Sequence, residues 1–184
     1  MTEKHQCEVT VIFIAGVSGA GKSTVAMRLA ARLNVPFVEG DSLHPASNIA
    51  KMAAGKPLSD DDRWDWLRDV AAASIAAAKP KDGRVVVTCS SLKRSYRQYL
   101  SACVGNGRTI FVFLDLPREV AERRVRERRG HFMGADLIAS QYETLELPQS
   151  DESWCTAVPC GDGNVEKVID RIVDALNKMD QSIH

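Results

Sequence analysis

The run Gly16-Val17-Ser18-Gly19-Ala20-Gly21-Lys22-Ser23 fits the spacing G-x-x-x-x-G-K-[ST] without a gap, and no other stretch restricts the possible folds so tightly. Upstream, Val9 to Ala15 is an apolar run with β-branched and aromatic residues; downstream, Val25, Leu29 and Leu33 recur at helical spacing. Strand, glycine loop and helix, in that order, are the setting in which such a loop wraps an anion. Glycines let main-chain N–H groups turn inward, and the helix N-terminus adds a partial positive charge. A tight turn before an ordinary lysine would explain the residues singly, but not the motif together with both flanks.

On this reading Gly16, Ser18, Gly19, Ala20, Gly21, Lys22, Ser23 and Thr24 form a binding set for ATP. Lys22 is expected to reach the β- and γ-phosphates, and the Ser23 hydroxyl to bind Mg²⁺.

Net charge points to no other class of partner, so any charge-driven binding must be local. Lysine plus arginine and aspartate plus glutamate number 24 each in 184 residues, so no global field draws the chain to nucleic acid or to a membrane. That length supports one buried core, and a single domain over residues 1–184 is expected. Cys7, Cys89, Cys103, Cys155 and Cys160 are odd in number and lack paired short spacings, which reads as reduced thiols rather than a disulfide frame or a zinc site. The polar start, Met1 to Glu8, has no signal-peptide core, and no apolar run is long enough to span a bilayer. A soluble, cytoplasmic protein is expected.

The rest of the chain alternates strand and helix. Val35 to Glu39 reads as a second strand running into Gly40-Asp41, and His44 to Met52 as a short helix. Ser59 with Asp62 three residues on is a helix start, and Leu67, Ala71, Ile75 and Ala78 mark that helix's buried face up to Pro80. Arg84 to Cys89 is an almost continuous apolar strand, and Ser90 and Ser91 are expected to open a helix to about Cys103. Thr109 to Leu114 gives a fourth strand, and Pro117 heads an arginine-rich helix that Gly130 stops. Ala135 to Leu145, Trp154 to Val158 and Val165 to Leu176 complete the pattern as helix, strand and amphipathic helix. The fold class is α/β: a five-stranded parallel sheet with helices on both faces and a lid at about 123–134, with ligands beyond the carboxyl ends of the strands.

A phosphate loop does not name the acceptor, so the residues converging on the γ-phosphate must. A helix of about a dozen residues leads the chain roughly 20 Å from the loop, and a five-residue strand returns it by about 16 Å, which lands Asp41 beside the loop. Its carboxylate can accept a hydroxyl proton, orient that hydroxyl, or hold a metal-bound water; the plain alternative is a helix cap. His44 is close enough to share the pocket. Asp60, Asp61 and Asp62 are read as first-turn charge on a helix. Arg63, Lys93, Arg94 and Arg97 can bind an anionic substrate, Arg97 bidentately if the anion is a carboxylate, with Lys93 and Arg97 on one helix face. The basic run Arg123 to Arg129 is either a nucleic-acid-contacting helix or a lid; Arg124 and Arg128, four apart, can close together over the transferring phosphate. A single basic helix without interleaved aromatics favours the lid. The strand from Val85 to Cys89 lacks the terminal acid that many phosphate-loop proteins use for Mg²⁺, so metal support falls to Ser23 and Asp41 through waters.

Taken together, the chain resembles the gluconate kinases of the small phosphate-loop type, relatives of shikimate and nucleoside monophosphate kinases. The phosphate loop is shared by many families. The resemblance extends through Leu92-Lys93, Tyr96-Arg97 and Gly130-His131-Phe132, and its much more specific stretches are Gly40-Asp41-Ser42-Leu43-His44-Pro45, Asp60-Asp61-Asp62-Arg63 and Gln141-Tyr142-Glu143-Thr144-Leu145-Glu146. The resemblance implies transfer of a phosphoryl group from ATP to D-gluconate, giving 6-phosphogluconate and ADP, and a homodimer. Asp41, His44, Arg63, Lys93 and Arg97 would then hold the sugar acid, and Lys22, Asp41, Arg124 and Arg128 would serve the transfer. The rivals are a kinase for another hydroxy acid or a nucleoside monophosphate, and a nucleotide-binding protein that contacts RNA through Arg123 to Arg129.

Overall fold

In the computed structural model, residues 9–78, 83–129 and 134–181 are described, without the side chains of residues 128, 129 and 134–136. Expectations about Cys7, the turn at residues 79–82, the Gly130 break and the 130–133 part of the lid fall outside the described residues.

Five parallel strands, β1 (Thr10–Ala15), β2 (Phe37–Glu39), β3 (Arg84–Thr88), β4 (Arg108–Asp115) and β5 (Cys155–Pro159), lie in the order β2-β3-β1-β4-β5. Between and after them run α1 (Lys22–Leu33), α2 (Ala46–Ala53), α3 (Asp61–Ala78), α4 (Arg94–Val104), α5 (Arg118–Arg129), α6 (Gly134–Thr144) and α7 (Val165–Gln181).

Alternate residues of a strand face opposite sides, so the unbroken apolar reading of β1 means that both sides are covered. Ile12 and Ile14 pack with Leu29 of α1 and Ile169 and Ile172 of α7. Val11 and Phe13 pack with Trp66 and Leu67 of α3 and Tyr96 and Leu100 of α4. The carboxyl ends of β1, β2 and β3 therefore share one rim between two helical layers.

Several boundaries differ from the sequence expectation, α2 among them, which begins at Ala46 rather than His44. Residue 90 onward does not start a helix: α4 begins at Arg94, after a segment in which Ser91 has φ +45 and Ser90 accepts a hydrogen bond from the Gly16 N–H at 3.2 Å. The backbone there is engaged by the phosphate loop instead of by a helical turn. β2 is also shorter than Val35 to Glu39, beginning at Phe37. Ser59 and Asp62 do form the expected cap, with the Ser59 N–H donating to the Asp62 carboxylate at 2.7 Å and the Asp62 N–H to Ser59 Oγ at 3.3 Å.

Candidate active site

The turn between β1 and α1 holds three glycines at positive φ, and Gly19 is the tightest of them. A Cβ there would stand 3.0 Å from the Ala121 carbonyl and 3.1 Å from Val125 Cγ2, so only glycine lets α5 approach the loop this closely. Ser18, Gly19, Gly21, Lys22, Ser23, Thr24, Asp41 and Val125 line a cavity of about 340 Å³. The Lys22 ammonium donates to the Val17 carbonyl at 3.1 Å, across the mouth of its own loop.

Asp41 reaches this rim because the preceding peptide is fixed from two sides. The Gly40 N–H donates to Thr88 Oγ1 at 3.0 Å, and the Trp66 indole N–H donates to the Gly40 carbonyl at 2.9 Å. Asp41 then lies in a single 3₁₀ turn, Gly40–Leu43. His44 follows, its ring stacked on Trp66 with centroids 4.0 Å apart. The buried Asn48 amide nitrogen donates to the Asp62 carbonyl at 2.7 Å and faces His44 Nδ1 at 3.4 Å. An amide nitrogen can only donate, so Nδ1 accepts and the neutral ring carries its proton on Nε2. Burial pushes His44 below the ordinary histidine pKa; Asp41 pulls it back up, and Arg63 pushes it further down.

A second cavity of about 360 Å³ adjoins the first, and Ser18, Lys22 and Asp41 line both. Its far wall carries His44, Arg63, Lys93, Asp60 and Tyr96, while α6 contributes Leu137, Ser140, Gln141 and Thr144. Arg63 donates to the Leu58 carbonyl at 3.2 Å, lies over the Tyr96 ring, and keeps its buried Nε without a partner among the described residues. A buried guanidinium N–H with no acceptor fits an anion entering from the cavity. Lys93 is held differently: its ammonium meets both oxygens of Asp60 at 2.8 Å, and the Tyr96 hydroxyl donates to the same carboxylate. These partners hold the Asp60 carboxyl below the usual range.

Asp60 is thus a cavity residue that sequence reasoning missed. Helix-start charge accounts for Asp61 and Asp62, but Asp60 precedes α3 and turns to Lys93 and Tyr96. The signal was present: three consecutive acids exceed what one cap requires.

Arg97 is a correction. The side chain is fully buried and faces away from the cavity, with Nε and Nη2 each 2.8 Å from the Glu152 carboxylate and Nη1 donating to the carbonyls of Ser91 and Glu146 at 3.2 and 3.0 Å. It does not share a face with Lys93, because Lys93 stands outside α4 in extended conformation. Arg124 is a second correction. Instead of covering the phosphate cavity it donates at 3.4 Å to the carbonyls of Gly19 and Cys160, and it borders a third cavity of about 210 Å³ with Thr24, Gly163, Asn164 and Val168. Among the described residues, the part of α5 that lines the phosphate cavity is Val125. Arg128 lies in α5, but its side chain falls outside the described residues.

Known proteins resemble this chain in sequence and in fold. A family described as an AAA domain matches residues 11–148. A probable gluconokinase of Saccharomyces cerevisiae is 44% identical over 86% of this chain and 87% of its own. The thermoresistant gluconokinase of Escherichia coli is 38% identical over 96% and 98%. The crystal structure of a gluconokinase from Sinorhizobium meliloti superposes with a TM-score of 0.82 at 39% identity, covering 95% of both chains. The parallel sheet, the loop at its rim and likeness of this depth over nearly the full length make the chain a member of the gluconokinase family of phosphate-loop kinases.

Proposed function

We propose that this protein transfers the γ-phosphoryl group of ATP to the 6-hydroxyl of D-gluconate, giving 6-phospho-D-gluconate and ADP. The observation that carries the reading is the shared wall: Ser18, Lys22 and Asp41 border both the phosphate cavity and the larger cavity beside it. An acceptor hydroxyl in one and a terminal phosphate in the other would meet at these side chains.

Asp41 takes the hydroxyl proton, or holds that hydroxyl in line, as the O6–phosphorus bond forms and the bond to the leaving ADP oxygen breaks. Lys22 and the inward N–H groups of the loop offset the charge on the transferring group. The Arg63 guanidinium, whose Nε has no partner among the described residues, receives the gluconate carboxylate, Lys93 adds positive charge held in place by Asp60, and His44 donates from Nε2 to a sugar hydroxyl. The 210 Å³ cavity suits the adenine, with Arg124 across it rather than over the phosphate.

A Mg²⁺ ion fits the donor set: Ser23 and Asp41 offer hard oxygens at the phosphate cavity, the donor type that Mg²⁺ takes beside waters and nucleotide oxygens. Bound there, it would neutralise phosphate charge. The same reading makes the protein a cytoplasmic homodimer, to be checked by light scattering. No helix among the described residues is long and apolar enough to cross a membrane.

The deciding experiment is ADP release with and without D-gluconate, beside a panel of other hydroxy acids and nucleoside monophosphates. Stimulation by gluconate above the rest is expected. Equal stimulation by a nucleoside monophosphate, or none by gluconate, would overturn the assignment.

A further inference from the structure

Gln141 bridges to the phosphate loop from 123 residues away. Its Oε1 accepts from the Ser18 main-chain N–H at 2.7 Å, and its Nε2 donates to Ser18 Oγ at 3.1 Å. A main-chain N–H can only donate, so the amide can be oriented in one way alone. Both contacts fall on one of the three residues that line both main cavities, at the place where a transferred group has to cross.

The side chain is presented by an anchored segment. Next to it the Tyr142 hydroxyl donates to the Leu116 carbonyl at 2.6 Å, at the end of β4. Beyond α6 the Glu146 N–H donates to the Leu92 carbonyl at 2.8 Å, and the Glu146 carboxylate accepts from the Arg94 N–H at 2.6 Å. The segment from Gln141 to Glu146 therefore ties three pieces of the rim together: the phosphate loop, the end of β4 and the loop before α4. Gln141 also lines the sugar-side cavity, so one amide touches the loop from the acceptor's side.

We infer that Gln141 is a positioning residue for phosphoryl transfer, acting through Ser18 to hold the acceptor-facing side of the phosphate loop in register with the sugar-side cavity. The inference rests on the gluconate-kinase reading above. A neutral amide suits the task. It satisfies a main-chain donor and a hydroxyl together without adding a negative charge beside the transferring phosphate or a second cation beside Lys22.

Two variants of the full chain test this. Gln141→Met keeps length and volume but loses the amide. Gln141→Glu keeps an acceptor for the Ser18 N–H and adds a negative charge at the crossing. Both are expected to lower kcat by about tenfold to a hundredfold, the size of effect that a small misplacement of reacting groups produces. KM for gluconate should stay within about threefold, since the lost interaction matters in the transition state rather than in substrate binding. Melting temperature should stay within about 3 °C, a change of roughly 1 kcal/mol for a chain of this size. Wild-type turnover of gluconate with kcat unchanged in both variants would overturn the inference alone. So would a kcat loss matched by a collapse in melting temperature in both, which would make Gln141 a structural strap. Absence of gluconate turnover in the wild-type protein would overturn the functional reading, and this inference with it.

Discussion

Asp41 and His44 show how much of the proposed chemistry depends on side chains that do none of it. Asp41 is aimed by the Gly40 peptide between Thr88 and Trp66, and His44 is held by the ring of the same Trp66 and by Asn48. Replacing Asp41 with Asn retains the shape but not the basicity, so kcat should fall by about a hundredfold or more, as for loss of a general base. The ATP KM should move little, and a coupled ADP assay at saturating gluconate reads both. His44 sets a pH dependence. Burial lowers its pKa, so it is neutral at pH 7 and able to accept from Asn48; protonation on acidification removes that acceptor and places a cation beside Arg63. Because the folded-state value lies below the ordinary value of about 6.5, neutral His44 contributes stability above that pH and loses it as the pH falls through the folded value. kcat/KM for gluconate should therefore drop on the acid side of pH 6.5, and His44→Asn should flatten that limb in a pH-rate profile.

Among elements, the turn after β2 is the most tightly specified. A Cβ at Gly40 would stand 2.0 Å from the Thr88 carbonyl, which is backbone of β3 and cannot swing away. Gly40→Ala should therefore force β2 off β3, costing about 1–3 kcal/mol as an overpacked core does, and should depress turnover by moving Asp41; thermal melting and kcat measured together check both. The strands and the phosphate loop could be read directly from the residues, because an apolar run buried on two faces and a glycine loop each have one physical explanation. The loop before α4 could not. Its residues would cap a helix in isolation, and what straightens them is the Gly16 N–H, together with Glu146, a partner far away in sequence. Asp60 and Arg63 illustrate the same limit within four residues of chain. Their charges were visible, but that Asp60 meets Lys93 and Tyr96, while Arg63 lies over the Tyr96 ring with its Nε unpartnered among the described residues, depends on where Tyr96 of α4 packs.

At the scale of the whole molecule, the buried pair of Arg97 and Glu152 joins the start of α4 to the segment entering β5, and so fastens the candidate site's wall to the sheet's far edge. Both side chains are 0% exposed, and the guanidinium lies over the Phe113 ring. Burial alone would raise the Glu152 carboxyl, but the hydrogen bonds from Arg97 and the Gln149 N–H outweigh it and hold the pKa below the ordinary glutamate value. This stabilisation is present in full above the unfolded value of about 4.3 and is lost as pH falls through the folded one. Removing one partner strands a charge in the core. Arg97→Ala should therefore cost about 3–5 kcal/mol, whereas Arg97→Met with Glu152→Leu, which removes both charges, should recover most of that loss. At about 2–4 °C per kcal/mol for a chain of this length, the single variant should melt roughly 6–20 °C lower. As the pH falls through the lowered Glu152 value, the gap between the wild type and the single variant should narrow. The folded fraction of the double variant should keep its KM for gluconate, because Arg97 lines none of the three cavities described above; a large rise in that KM with stability restored would return Arg97 to the substrate site.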